Sequence, residues 1–244
     1  MRLHRFHVNT PISGNKFDIS DRDLIHQWRT VIRYNVGSQV ILFDGSGVDC
    51  LSLITSLRNL GATVEVVEKK NNKNMAKINL TLCVGIIKKD NFELVVQKAT
   101  ELGVTQIIPV LCERSEKKKV NMERLQKIAV EASEQSGRFN LPEIHEIMEL
   151  SDLLQKNILP KEKIVLNVES EKLKVESYKD NNTNVQGLTL HILKELAVFI
   201  GPEGGWSDRE VQGFASHNIP SVSLGSQILR AETASIAVVS LLLL

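Results

Sequence analysis

The sequence predicts an α/β protein in two parts, a small β-barrel over residues 1–70 and a larger domain over 78–244 built on a parallel sheet, joined by a linker at 71–77. Three observations carry this. The first seventy residues are short alternating or apolar runs divided by glycine turns. Strand-like and helix-like segments then alternate along the rest of the chain, the pattern of an α/β sheet with parallel strands. Between the two, Glu68 to Lys77 is polar, charged and without strand pattern. The chain has 244 residues with Lys+Arg 30 against Asp+Glu 29, a net charge of +1, and is 42% hydrophobic and 24% charged. That composition excludes a disordered or fibrous chain and a histone-like polycation, while leaving room for local basic surface.

In the first part, Leu3–Val8, Lys16–Ile19, Gln39–Phe43, Cys50–Leu57 and Ala62–Glu68 read as strands. Gly14-Asn15, Asp44 to Gly47 and Asn59 to Gly61 separate them as turns. One helix interrupts: Ser20 and Asp23 have capping-box spacing, and Leu24, Ile25, Trp28, Val31 and Ile32 form an apolar stripe. In the second part, Ile78–Ile87, Val104–Leu111, Ile164–Val168, Leu196–Ile200 and Val222–Leu224 read as strands. Helices are predicted from Asp90 to Leu102 with Gly103 as the stop, from Asn121 to Gln135, after Gly201 with Ser207 and Glu210 as cap, and from Ala231 to Leu244. The polar stretch between Glu169 and Glu195 reads as a loop with a short helix.

The opening residues alternate Arg and His with apolar residues, so no secretory signal is expected. The apolar run Ile236–Leu244 is too short to span a bilayer and reads as a buried terminal helix, so no membrane role is expected. Three scattered cysteines, Cys50, Cys83 and Cys112, and six histidines without ligand spacing predict neither a disulfide framework nor a metal site. The cytoplasm is the expected compartment.

Two loops attract chemistry. Gly201-Pro202-Glu203-Gly204-Gly205 lies between a strand and a capped helix, and its three glycines let a ligand approach the backbone closely. Its spacing matches neither the dinucleotide fingerprint nor a P-loop. Leu224 to Thr233 leaves the next strand in the same way, with the apolar Ile228 and Leu229 placed to cover a ligand or pack inward.

Together these runs, with Glu134–Arg138 (EQSGR), Lys98–Val104 (KATELGV) and Arg5-Phe6, resemble the ribosomal RNA small subunit methyltransferase E family of SPOUT-class enzymes. The resemblance is end to end. It implies a C-terminal α/β trefoil knot behind a PUA-like RNA-binding barrel. It further implies S-adenosyl-L-methionine as cofactor, the small ribosomal subunit (16S rRNA) as partner, and methyl transfer to N3 of one uridine. Gly201, Glu203, Gly204, Leu224, Gly225, Ile228 and Leu229 would line the cofactor. Arg230, which directly follows the cofactor loop, and then Arg138 would stabilise the uridine anion as it develops. RNA contacts would come from Arg2, His4, Arg5, Arg114, Arg138 and Lys117 to Lys119. The knotted domains of the family pair, so a homodimer is expected, with all four terminal leucines buried. A tRNA base or a ribose 2′-hydroxyl as target stays open, as does a non-catalytic RNA-binding assembly protein.

Overall fold

The structure, a computed structural model, describes residues 3–72, 78–172 and 194–244. Arg2, linker residues 73–77 and positions 173–193 of the polar stretch lie outside the described residues. Packing divides the chain into two compact units, one of Met1–Met75 with Ser133–Leu141 and one of Ala76–Ala132 with Pro142–Leu244.

The first unit holds β1 (Arg5–His7), β2 (Lys16–Ile19), β3 (Gln39–Phe43), β4 (Val48–Arg58) and β5 (Gly61–Asn71), paired in the order β1-β3-β4-β5-β2. All neighbours are antiparallel except β1 with β3. Alternate residues such as Val40, Leu42, Ile54 and Val64 point into a core closed by Phe6 and Trp28. β5 continues through Lys69 and Lys70 to Asn71, into the polar stretch where the sequence shows no strand pattern; those residues pair with β4 but lie outside the core, so their exposure leaves a charged pattern. The helix α1 (Arg22–His26) is capped by Asp21, whose carboxylate accepts from the N–H groups of Asp23 and Leu24; Ser20 lies one residue too early for that role. Gln27–Ile32 continues it with wider π-type turns, and that change of pitch rotates Val31 out of the predicted stripe into solvent.

The second unit is a parallel sheet of β6 (Asn79–Gly85), β7 (Gln106–Leu111), β8 (Glu143–Ile144), β9 (Met148–Glu149), β10 (Lys163–Lys172), β11 (Glu195–Ile200) and β12 (Ser221–Ser223). Its order is β12-β10-β11-β6-β7-β8, with β9 also pairing β7. Leu80, Leu82, Val84, Val198 and Ile200 face one core, and Cys83, Ile108, Ala197 and Phe199 face another. Strands buried on both sides have no polar face, which is why they read as continuous apolar runs. The helices α2 (Lys89–Leu102), α3 (Met122–Ser136) and α6 (Ala231–Leu243) supply apolar residues to the first core, and α4 (Leu150–Gln155) and α5 (Asp208–Ser216) to the second. β8, β9 and α4 escaped the sequence reading, because two-residue strands and a helix of under two turns show no clear period. Of the terminal leucines, Leu242 and Leu243 are buried, whereas Leu241 is 46% exposed and Leu244 85%. The expectation of four buried leucines is therefore corrected to two within this chain.

Candidate active site

Parallel neighbours β12, β10 and β11 present their carboxyl ends side by side, the position where open α/β sheets take ligands. Leu166–Val168 within β10, with residues of the segments Ile200–Trp206 and Ser223–Ala231 at the ends of β11 and β12, lines a cleft of about 330 Å³. That volume lies within the ~300–1,000 Å³ range of small-molecule sites.

Four contacts fix the Gly201–Trp206 loop. The backbone of Pro202 crosses close to the end of β6, where a Cβ on Gly85 would stand 2.7 Å from the Pro202 nitrogen. The carboxylate of Glu203 accepts from the Lys88 N–H at the start of α2, 3.1 Å. Nη1 of Arg114 donates to the carbonyl oxygens of Gly204 (3.2 Å) and Trp206 (3.0 Å). The indole Nε1 of Trp206 donates to the Leu166 carbonyl at 3.0 Å, tying this loop to β10. Behind the loop, Ser207 and Glu210 form a complete capping box on α5. The same Glu210 carboxylate accepts from the Glu113 N–H at 3.0 Å, so it also holds the turn that carries Arg114.

Gly201, Glu203, Leu224, Gly225, Ile228, Leu229 and Arg230 all line the cleft. Ile228 does not pack inward: it is 83% exposed at the cleft, an apolar side chain available to cover a ligand. Gly204 is not part of the lining. A Cβ there would meet Cβ of Arg114 at 2.8 Å, so its smallness serves a protein contact rather than a ligand. Arg230 is exposed, sits at the start of α6 and caps no backbone group with its side chain.

The remaining nominated arginines are elsewhere or engaged. Arg5 belongs to the first unit, where its guanidinium bonds Asp49 at 2.8 Å and the Ser133 carbonyl at 3.2 Å and lies 3.4 Å above the Phe43 ring. Arg138 also groups with that unit. It is buried, bonds Asn140 at 3.1 Å, and burial pushes its pKa down to about 10, which leaves it cationic at neutral pH. Trp206, Gly85, Leu166 and Val168 were missed by sequence reasoning. A tryptophan directly after the glycine run was the one available signal; nothing local marks the others. The three cysteines are buried and free, and burial pushes the Cys112 thiol up to about 12.

The model of the RNA methyltransferase domain family matches residues 74–243. Among curated relatives, the ribosomal RNA small subunit methyltransferase E of Rickettsia conorii is 33% identical across 98% of this chain and 95% of its own length. The chain belongs to the ribosomal RNA small subunit methyltransferase E family. The enzyme of that name from Bacillus subtilis is 30% identical over 88% of this chain and 85% of its own. The family member from Neisseria gonorrhoeae, solved bound to S-adenosyl methionine, superposes with a TM-score of 0.82 at 28% identity, covering 98% of this chain and 96% of that one. A methyltransferase from Legionella pneumophila, solved in complex with the same cofactor, gives 0.84 at 26%, covering 99% and 97%. The fold class is accordingly a SPOUT-type α/β knot domain with a PUA-like barrel.

The cleft fits that cofactor. Its walls combine backbone from two glycine-bearing loops, which offers N–H and C=O groups to an adenine and an amino-acid moiety, with apolar Leu166, Ile200, Leu224 and Ala234 for the flat ring. A charged side chain is not needed to bind groups that backbone amides recognise. No helix among the described residues is long and apolar enough to cross a membrane, and no cluster of His, Cys, Asp and Glu among them is arranged to hold a metal.

Proposed function

We propose that the protein methylates N3 of one uridine in the 16S rRNA of the small ribosomal subunit, using S-adenosyl-L-methionine held in the cleft. The observation that carries this is Arg230, exposed at the mouth of a backbone-lined cleft in a chain of this family. The bound cofactor supplies an already activated methyl group on a sulfonium. What the protein must add is alignment, a largely entropic task, and stabilisation of the imide as it loses its proton. Guanidinium donors on Arg230 meet the second need, because arginine stays protonated and accommodates charge on the carbonyl oxygens of uracil. Glu203, the one carboxylate among the described lining residues, is already engaged at the Lys88 N–H. The route is therefore anion stabilisation rather than a positioned base.

Two copies are proposed to pair through α6, which is apolar around most of its circumference and leaves Leu241 uncovered. The cytoplasm, where ribosomal RNA is made, is the proposed compartment. Mass-spectrometric mapping of rRNA nucleosides from a strain lacking the gene should show the loss of a single N3-methyluridine, restored when purified protein and cofactor are added to small subunits. Methyl groups appearing on tRNA or on a ribose 2′-hydroxyl instead would overturn the reading.

A further inference from the structure

The arginines that the sequence offers most readily for RNA are held in internal bonds: Arg5 on Asp49, Arg114 on the loop carbonyls, Arg138 on Asn140. A different pair is free. Arg29 and Arg33 share an open depression of about 610 Å³ on the first unit with Tyr34, Asn35 and Leu57. Both side chains are exposed, and neither guanidinium has a hydrogen-bond or ion-pair partner among the described residues. Arg29 stands in the last turn of the helix and Arg33 closes it, and both border this one depression.

The backbone of Arg33 is the second observation. It closes the helix in the left-handed region, at φ 62° and ψ 46°. Glycine or asparagine adopts that conformation at lower cost than a residue with a long side chain. A cation at a helix C-terminus also favours the helix dipole, but Arg29 in the last turn already supplies one without the strained backbone. Strain retained at an exposed residue whose guanidinium has no hydrogen-bond or ion-pair partner among the described residues points outward, to a ligand.

We infer that this groove binds the phosphodiester backbone of the RNA substrate, Arg29 and Arg33 each neutralising one phosphate; the inference rests on the rRNA reading above. The planar, forked guanidinium matches phosphate oxygens in pairs. Tyr34, Val36 and Leu57 contribute to the groove, but most of its exposed lining is polar and both its charged side chains are cationic, which suits a phosphate backbone better than the charge-depleted centre of a protein interface.

The test compares wild type with Arg29→Ala, Arg33→Gly and the double variant. It measures affinity for a 16S rRNA transcript and for assembled small subunits across a KCl series, cofactor affinity by calorimetry, and thermal unfolding. Each single variant should weaken RNA binding about tenfold, the loss of one charge-assisted contact. The double variant should flatten the log K against log salt plot by about 1.4 to 1.8. Cofactor affinity should not change, and Arg33→Gly should melt no lower than wild type, which separates a lost contact from a lost fold. Unchanged affinity and slope in a double variant whose wild type does methylate rRNA would overturn the groove alone. So would weakened binding to subunits with normal binding to the transcript, which would place a ribosomal protein on this face. A wild type that binds no rRNA would remove the methyltransferase reading and the groove together.

Discussion

Arg114 reaches from beyond the end of β7 to two carbonyl oxygens of the Gly201–Trp206 loop, and its Cβ fills the space beside Gly204. Arg114→Ala should therefore weaken cofactor binding about tenfold, the scale of lost hydrogen bonds from a charged donor, with the lysine variant recovering part of it. RNA affinity measured at saturating cofactor should stay put; a change confined to RNA would return Arg114 to the phosphate-binding role that its neighbours Lys117 to Lys119 suggest. Arg230→Ala should do the reverse, lowering turnover by about a hundredfold or more, or roughly 2–4 kcal/mol of transition-state stabilisation, while calorimetry finds the cofactor bound almost as before. Normal turnover would make Arg230 structural. The Gly201–Gly205 loop was legible because three glycines between a strand and a capped helix are unusual, while the individual lining residues came from the family resemblance, which also named Gly204. The uses of Arg5, Arg114 and Arg138 were not legible, because a sequence shows a charge but not which carbonyl, carboxylate or ring stands opposite it.

At the scale of elements, α5 connects the site to the rest of the second unit through one side chain. Glu210 accepts from Ser207 at the helix start and from Glu113 across the gap to β7, and it is buried. Glu210→Ala leaves two backbone N–H groups short of a partner, at a cost of about 1–3 kcal/mol each when buried, so urea unfolding should shift accordingly. A shift under about 0.5 kcal/mol, the ordinary range for surface substitutions, would mean water replaces the carboxylate freely. The capping box on α5 was predictable because serine three residues before glutamate is a local signal. The Asp21 cap and the wide turns after His26 were not, since two adjacent polar residues compete for the cap and a change of pitch is set by how Trp28 packs into the barrel. Long, doubly buried strands such as β6 and β11 were easy to place; β8 and β9, at two residues each, are defined by pairing with β7, with Ile144 and Met148 packed against the cores.

For the molecule as a whole, the end of α6 separates two questions that the apolar tail had merged. Leu242 and Leu243 are buried in their own chain and contribute roughly 1.5–3 kcal/mol each, so replacing both with serine should destabilise the second unit itself. Leu241→Ser removes an exposed side chain and should leave the melting of a single chain intact while light scattering reports a monomer. A persistent dimer in that variant would move the pairing surface off α6. The first unit has its own lesson, because it is not a continuous piece of chain: Ser133–Leu141 completes it, with Ser133 receiving the Arg5 guanidinium, Glu134 the His7 N–H and the Gly137 carbonyl the Asn72 amide. During synthesis the barrel strands therefore leave the ribosome well before their last partners exist, and the first part of the chain must wait for about seventy more residues to be translated before it can finish folding. A proteolytic or engineered fragment ending at residue 75 would be born without those contacts, so the barrel should not behave as a portable module.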